Sequence, residues 1–228
     1  MSTPRPAPVW VVVADLVAKV LLALAVTMVA IDPAWGNLEG KAPLARAVTY
    51  PLLALLVPLF HVLRVRRDVR SGRGGDRPYP WLADLLATVP GFSDLFGNRL
   101  DLYDEVVWFD DAMHMVNTAT LSAAVLVLSG ASAARLGTRL AVAVASGITL
   151  SLTWELWEYY AFVTRSAEST TAYGDTLGDL ALGWVGAVLA AGLVRVPDGT
   201  SDPAGGGVRR AMVEVARGSG PGPYGPPP

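Results

Sequence analysis

The stretch LAVAVASGITLSLTWELWEYYAFV, Leu140 to Val163, decides how this chain folds. It is long enough to cross a bilayer as a helix, which takes about 20 mainly apolar residues. Near its end, Thr153-Trp-Glu-Leu-Trp-Glu-Tyr-Tyr160 sets Glu155 and Glu158 three residues apart, on one side of a helix and one turn from each other. A carboxylate at mid-depth costs about 2.5–3.5 kcal/mol on insertion scales. Two of them in one span require an explanation.

Around this stretch the chain has the composition of a membrane protein. Apolar residues make up 52% and charged residues 17% of the 228, and the apolar residues come in blocks of about twenty instead of short amphipathic pieces. The fold class is therefore all-α, a polytopic transmembrane helix bundle; a soluble core would have to absorb several such blocks at once. Cysteine is absent, which removes disulfides, thiolate metal sites and a cysteine nucleophile and leaves oxygen and imidazole to carry any chemistry. A net charge of −2 says little, so basic residues are read by position.

Residues 1–8 form a short Pro-rich leader, expected to be disordered. The transmembrane domain covers 9–194, with spans at about 9–31, 44–63, 106–128, 140–163 and 173–194. The first lacks a small-residue cleavage pattern and reads as a retained anchor; Asp15 and Lys19 within it are an acid-then-base pair four apart, expected to neutralise each other near a headgroup layer. Pro51 and Pro58 are expected to bend the second, and His61 at its end is read as interfacial. Residues 81–97 are short, carry Asp84 and Asp94 and contain Pro90-Gly91, so they cross, re-enter or lie on the surface, giving five or six spans. Arg64, Arg66, Arg67, Arg70, Arg73 and Arg77 crowd what reads as one loop, which the positive-inside rule makes cytoplasmic together with the N-terminus. Six spans bring Arg135, Arg139 and the C-terminal tail to the same side, in the cell membrane. Beside a membrane helix, topology and anionic lipid headgroups account for these arginines without nucleic acid. Residues 195–228 are Gly/Pro-rich and aperiodic, the composition of a disordered tail.

Depth then sorts the polar groups. At 1.5 Å per residue, Glu158 and Glu155 lie about 8 and 12 Å in from Val163. Asp111 and His114 lie at about the same depths from Val106, and Asn117 and Thr118 extend their stripe. Asp175 and Asp179 open the last span four residues apart, with Asp179 about 9 Å in. All three pairs fall at one end of consecutive antiparallel helices. Five carboxylates and an imidazole cannot all stay charged in low dielectric. A divalent Mg, Mn or Fe ion would neutralise them, as would protons in a relay; Arg99 and Arg165, at the same end, are placed to hold a bound phosphate.

Several residues at this end also have a plainer reading. Asp110 and Asp175 are placed to act as helix caps. Trp154, Trp157, Tyr159 and Tyr160 fit an interfacial aromatic belt, and Gly178, Gly183 and Gly186 fit close helix packing. Glu155, Glu158 and His114 lie inside spans, where caps are not needed.

Phe109-Asp-Asp-Ala-Met-His114, Trp154-Glu-Leu-Trp-Glu158 and Tyr173-Gly-Asp-Thr-Leu-Gly-Asp179 together resemble the YjdF family of bacterial inner-membrane proteins, a domain of unknown function. The likeness runs over about residues 98–194. More loosely, the order of acid-x-x-histidine, helical glutamates and paired aspartates is similar to VanZ-like membrane proteins. The resemblance implies an integral membrane protein whose polar positions are Asp111, His114, Glu155, Glu158, Asp175 and Asp179.

Three readings follow. The first is a membrane-embedded, metal-dependent site acting on a lipid or polyprenyl phosphate, with Asp111, His114, Glu155, Glu158, Asp175 and Asp179 as ligands, Glu155, Glu158 or His114 as general base, and Arg99 and Arg165 on the phosphate. The second is a proton- or cation-coupled carrier that is not an enzyme, and the third a structural membrane protein. A serine hydrolase is not supported, because Ser151 has no G-x-S-x-G elbow. Two histidines, His61 and His114, cannot make a three-histidine zinc site.

Overall fold

The computed structural model describes residues 7–161, 163–165 and 170–195. The leader 1–6 and nearly all of the predicted disordered tail lie outside the described residues. Helices α1 (Val9–Ile31), α2 (Pro43–Arg70), α3 (Trp81–Arg99), the short α4 (Leu102–Glu105), α5 (Phe109–Ser129), α6 (Leu136–Ala161) and α7 (Ala172–Leu193) make up the bundle, and no strand occurs among the described residues. All the long helices except α3 are long and apolar enough to cross a membrane.

Side-chain bonds define two ends. At one end Arg64 Nη1 donates to the Leu128 carbonyl at 3.0 Å and Arg139 Nη1 to the Val194 carbonyl at 3.4 Å. At the other, Asn37 Nδ2 donates to the Asn98 carbonyl at 3.1 Å and Thr176 Oγ1 to Glu155 Oε2 at 3.1 Å. Because α2 begins beside the end of α3 and α6 ends beside the start of α7, these neighbours are antiparallel.

One boundary differs from the sequence reading, and one open stretch is resolved. The arginine run is not all loop: α2 continues through Arg70, past Pro51 and Pro58, and Ser71 closes it by donating its hydroxyl to the Arg67 and Asp68 carbonyls. Asp68 is buried beneath this turn, paired with Arg77 and, at 3.7 Å, with Arg73, which anchors the extra helical turns. The stretch 81–97 lies within one continuous helix, α3, despite Pro90-Gly91.

Helix α3 packs against α1, α2 and α5, and about half of its residues are buried, a larger share than in any other long helix. That explains its weak hydropathy signal, because a helix facing protein satisfies its polar residues with neighbours. Lys19 of α1 pairs with Asp15 and reaches Asp84 Oδ1 of α3 at 2.9 Å. The expected Asp15–Lys19 pair is therefore part of a triad in which both aspartates are at most 2% exposed. Tyr79, in the loop before α3, donates its hydroxyl to Asp84 Oδ2 at 2.5 Å and packs edge-on against His61.

Helices α5, α6 and α7 meet over small residues. A Cβ at Gly186 would run into the backbone of α5 at Met115 and Ala119, and one at Gly147 would meet Ala187 and Ser122. Gly183 faces Ser151 and Thr118, whereas Gly178 faces nothing within 4 Å. Two of the three glycines assigned to packing are therefore in close contact; Gly178 is not. Backbone-close contact of this kind is how helices associate where lipid supplies no hydrophobic drive.

Candidate functional site

The first two turns of α5, the last turns of α6 and the first turns of α7 converge at one end of the bundle. His114 is 9% exposed, Glu155 6% and Asp179 4%. His114 Nδ1 lies 3.4 Å from Glu155 Oε1. On the other side of the ring, Nε2 lies 3.5 Å from Asp110 Oδ1 and 3.7 Å from Asp179 Oδ1. The imidazole therefore stands between carboxylates from three helices. Glu155 Oε2 is satisfied by Thr176, while Oε1 is buried and accepts no hydrogen bond.

The structure brings His114, Glu155, Glu158 and Asp179 together, and it separates others from them. Asp111 is exposed and Asp110, one residue earlier, takes the place beside the ring. The spacing allows both, since i,i+3 and i,i+4 residues share a helix face; packing against α7 selects Asp110. Asp175 is exposed, one turn before Asp179 at the rim. Arg99 is exposed and lies 5.1 Å over the Trp35 ring, away from the cluster. The Arg165 side chain lies outside the described residues.

A second cluster, which the sequence reading missed, adjoins the first through Glu158. Arg46 of α2, 3% exposed, donates from Nε to Asp94 Oδ2 at 3.0 Å and has Nη2 3.7 Å from Glu158 Oε1. Tyr50 donates its hydroxyl to the same Asp94 oxygen, and Asn98 Nδ2 donates to the Asp94 carbonyl at 2.9 Å. The guanidinium stands 5.4 Å over the Trp157 ring. Trp157 stacks on Trp154 and Trp154 on Tyr50, so part of the expected interfacial aromatic belt instead walls this ion pair. The available signal was Arg46 itself, an arginine inside the apolar run 44–63. Outside the spans, burial and the charge of Asp94 push the Tyr103 phenol well above its ordinary range.

Two groups of ligand atoms lie within 4.8 Å of one another, Asp110 with His114 and Asp179, and His114 with Glu155 and Glu158. Two ligands about 2.1 Å from one octahedral ion stand about 3.0 Å apart in cis and about 4.2 Å apart in trans. On the Nε2 side, the 3.5 and 3.7 Å separations to Asp110 and Asp179 lie between these two spacings and exceed the 2.7–3.2 Å typical of a hydrogen bond. A histidine that ligates through one nitrogen normally donates its other N–H to a carboxylate; Glu155 Oε1, 3.4 Å from Nδ1 and without a hydrogen bond of its own, is the group placed to take that role.

Residues 14–197 of the 228 match the family described as "Predicted membrane protein (DUF2238)". No curated protein and no solved structure matches the chain.

Proposed function

The chain belongs to the DUF2238 family of predicted membrane proteins, and from that premise we propose that the α5–α6–α7 cluster is a divalent-cation site acting on an anionic lipid or polyprenyl phosphate. The observation that carries this reading is the set of facing atoms around His114. Asp110 and Asp179 offer oxygens toward Nε2 at separations that leave room for a shared ion, and Glu155 faces Nδ1 on the other side of the ring. Mg, Mn and Fe fit the donor set, with imidazole favouring the latter two.

The assignment of roles follows from exposure. The Asp110 side chain is 46% exposed, so Asp110, His114 Nε2 and Asp179 make the open face and hold the cation. Glu155, fixed by Thr176, faces Nδ1 at 3.4 Å and would accept its N–H as a hydrogen bond once the ion is bound, setting the ring's tautomer and orientation. Glu158 stands behind it, its charge balanced by Arg46. A bound divalent ion would supply Lewis acidity to a phosphoryl oxygen at the headgroup layer. The chain's own residues orient the imidazole, keep the inner carboxylates dry and leave one edge accessible.

Metal analysis of the purified protein tests this. The expected result is about one divalent ion per chain, lost in Asp179→Asn and His114→Ala and retained in Asp111→Asn. A chain that binds no divalent ion after saturation and dialysis refutes it.

A second reading, a proton- or cation-coupled carrier, is favoured by one observation. Carboxylates face both ring nitrogens, and Glu158 links that imidazole to the Arg46–Asp94 pair, a continuous ionisable path. It predicts pH-dependent flux in proteoliposomes from a metal-free chain.

A further inference from the structure

The arginines at the end of α2 divide into two sets. Arg64 caps the end of α5, and Arg73 and Arg77 hold the buried Asp68. Arg66, Arg67 and Arg70 are exposed, and none has a carboxylate partner among the described residues. With Leu63 and Ser71 they line an open cleft of about 400 Å³. Three unbalanced guanidinium groups converging on one cleft set it apart from a generally basic loop.

The cleft continues an apolar stripe. Leu52, Leu56, Leu59 and Leu63 are each more than half exposed and recur at helical spacing, which puts them on one face. From Leu52 to Leu63 the helix rises about 16 Å, close to half of a hydrocarbon core about 30 Å thick. One face of α2 therefore carries a leaflet's depth of apolar surface ending in three arginines. A glycerophospholipid has the same order of parts, acyl chains followed by an anionic phosphodiester.

We propose that the Leu63–Arg66–Arg67–Arg70 cleft is a binding site for the headgroup of an anionic phospholipid, whose acyl chains lie along the leucine stripe of α2. The planar guanidinium groups suit bidentate contact with phosphate oxygens. This site lies at the opposite end of the bundle from His114 and does not depend on the cation reading.

The test uses the full chain reconstituted in nanodiscs of mixed phosphatidylglycerol and phosphatidylcholine, with the lipids that remain bound after release into mild detergent counted by native mass spectrometry. Phosphatidylglycerol should be enriched over phosphatidylcholine in the wild type. Each basic side chain near an anionic surface contributes about fivefold, so Arg66→Gln/Arg67→Gln/Arg70→Gln should lower the enrichment at least about tenfold. Arg99→Gln, at the other end, should leave it unchanged. If the triple variant does not fold, the wild type still decides. Its enrichment should fall as salt rises, and soluble glycerol phosphate should fail to displace the lipid. Enrichment that is absent, that survives the triple substitution, that is indifferent to salt or that is abolished by glycerol phosphate overturns the proposal.

Discussion

Replacing Arg46 by methionine should be among the most destabilising changes in the protein, and the structure explains the size of the effect. The guanidinium is 3% exposed, bonds Asp94 at 3.0 Å, stands 3.7 Å from Glu158 and covers Trp157. Removing it leaves the buried Asp94 and the partly buried Glu158 carboxylates without their cation. Breaking a buried pair from one side costs about 3–5 kcal/mol, because a charge is left uncompensated. Asp94→Asn is milder, at about 1–3 kcal/mol, since Arg46 keeps Glu158 and the amide still accepts a bond from Tyr50. The double variant Arg46→Met/Asp94→Leu removes both charges and should fall short of the sum of the single Arg46→Met and Asp94→Leu effects by about 1–3 kcal/mol. The assay is reversible unfolding in mixed micelles as the denaturing detergent fraction rises. Additivity within about 0.5 kcal/mol would show that the two groups act independently, and the account of this end of the bundle would fail.

Gly186→Leu should cost about 1–3 kcal/mol by forcing α7 away from the α5 backbone, while Gly178→Ala, with open space around it, should leave the thermal midpoint unchanged. Cysteines placed at Gly74 and Thr170 should label from opposite sides of sealed vesicles, because α3 joins the two ends of the bundle; labelling of both from one side would mean that α3 does not cross. Burial and the hydrogen bond to Asp84 push the Tyr79 phenol well up, so the folded state holds its proton at a pH where the unfolded chain releases it. The stability from this group is present below pH about 10 and is lost as the pH rises above that value. Tyr79→Phe should flatten that alkaline loss in detergent unfolding curves; an unchanged pH profile would contradict the assignment.

The legible parts of the sequence were those governed by the bilayer. Long apolar runs gave the helices, and Glu155, Glu158, His114 and Asp179 stood out because ionisable groups there are costly. What the sequence hid was hidden for physical reasons. Asp110 and Asp111 are one residue apart at the start of a helix, and only the packing of α5 against α7 chooses between them. Arg46 lies three residues into α2, at a depth where an arginine ordinarily snorkels to the surface, and its partner Asp94 belongs to a helix that reads as half-polar because protein surrounds it. Arg99 has the right depth for the cluster but stacks on Trp35 instead, a choice that no helical spacing encodes.

The central claim is that His114 ligates a divalent ion, and electron spin echo modulation of the manganese-loaded protein tests it most directly. Nitrogen-14 modulation from a directly bound imidazole is predicted in the wild type, absent in His114→Ala and retained in Asp111→Asn. A wild-type spectrum of manganese with oxygen ligands alone would contradict the assignment.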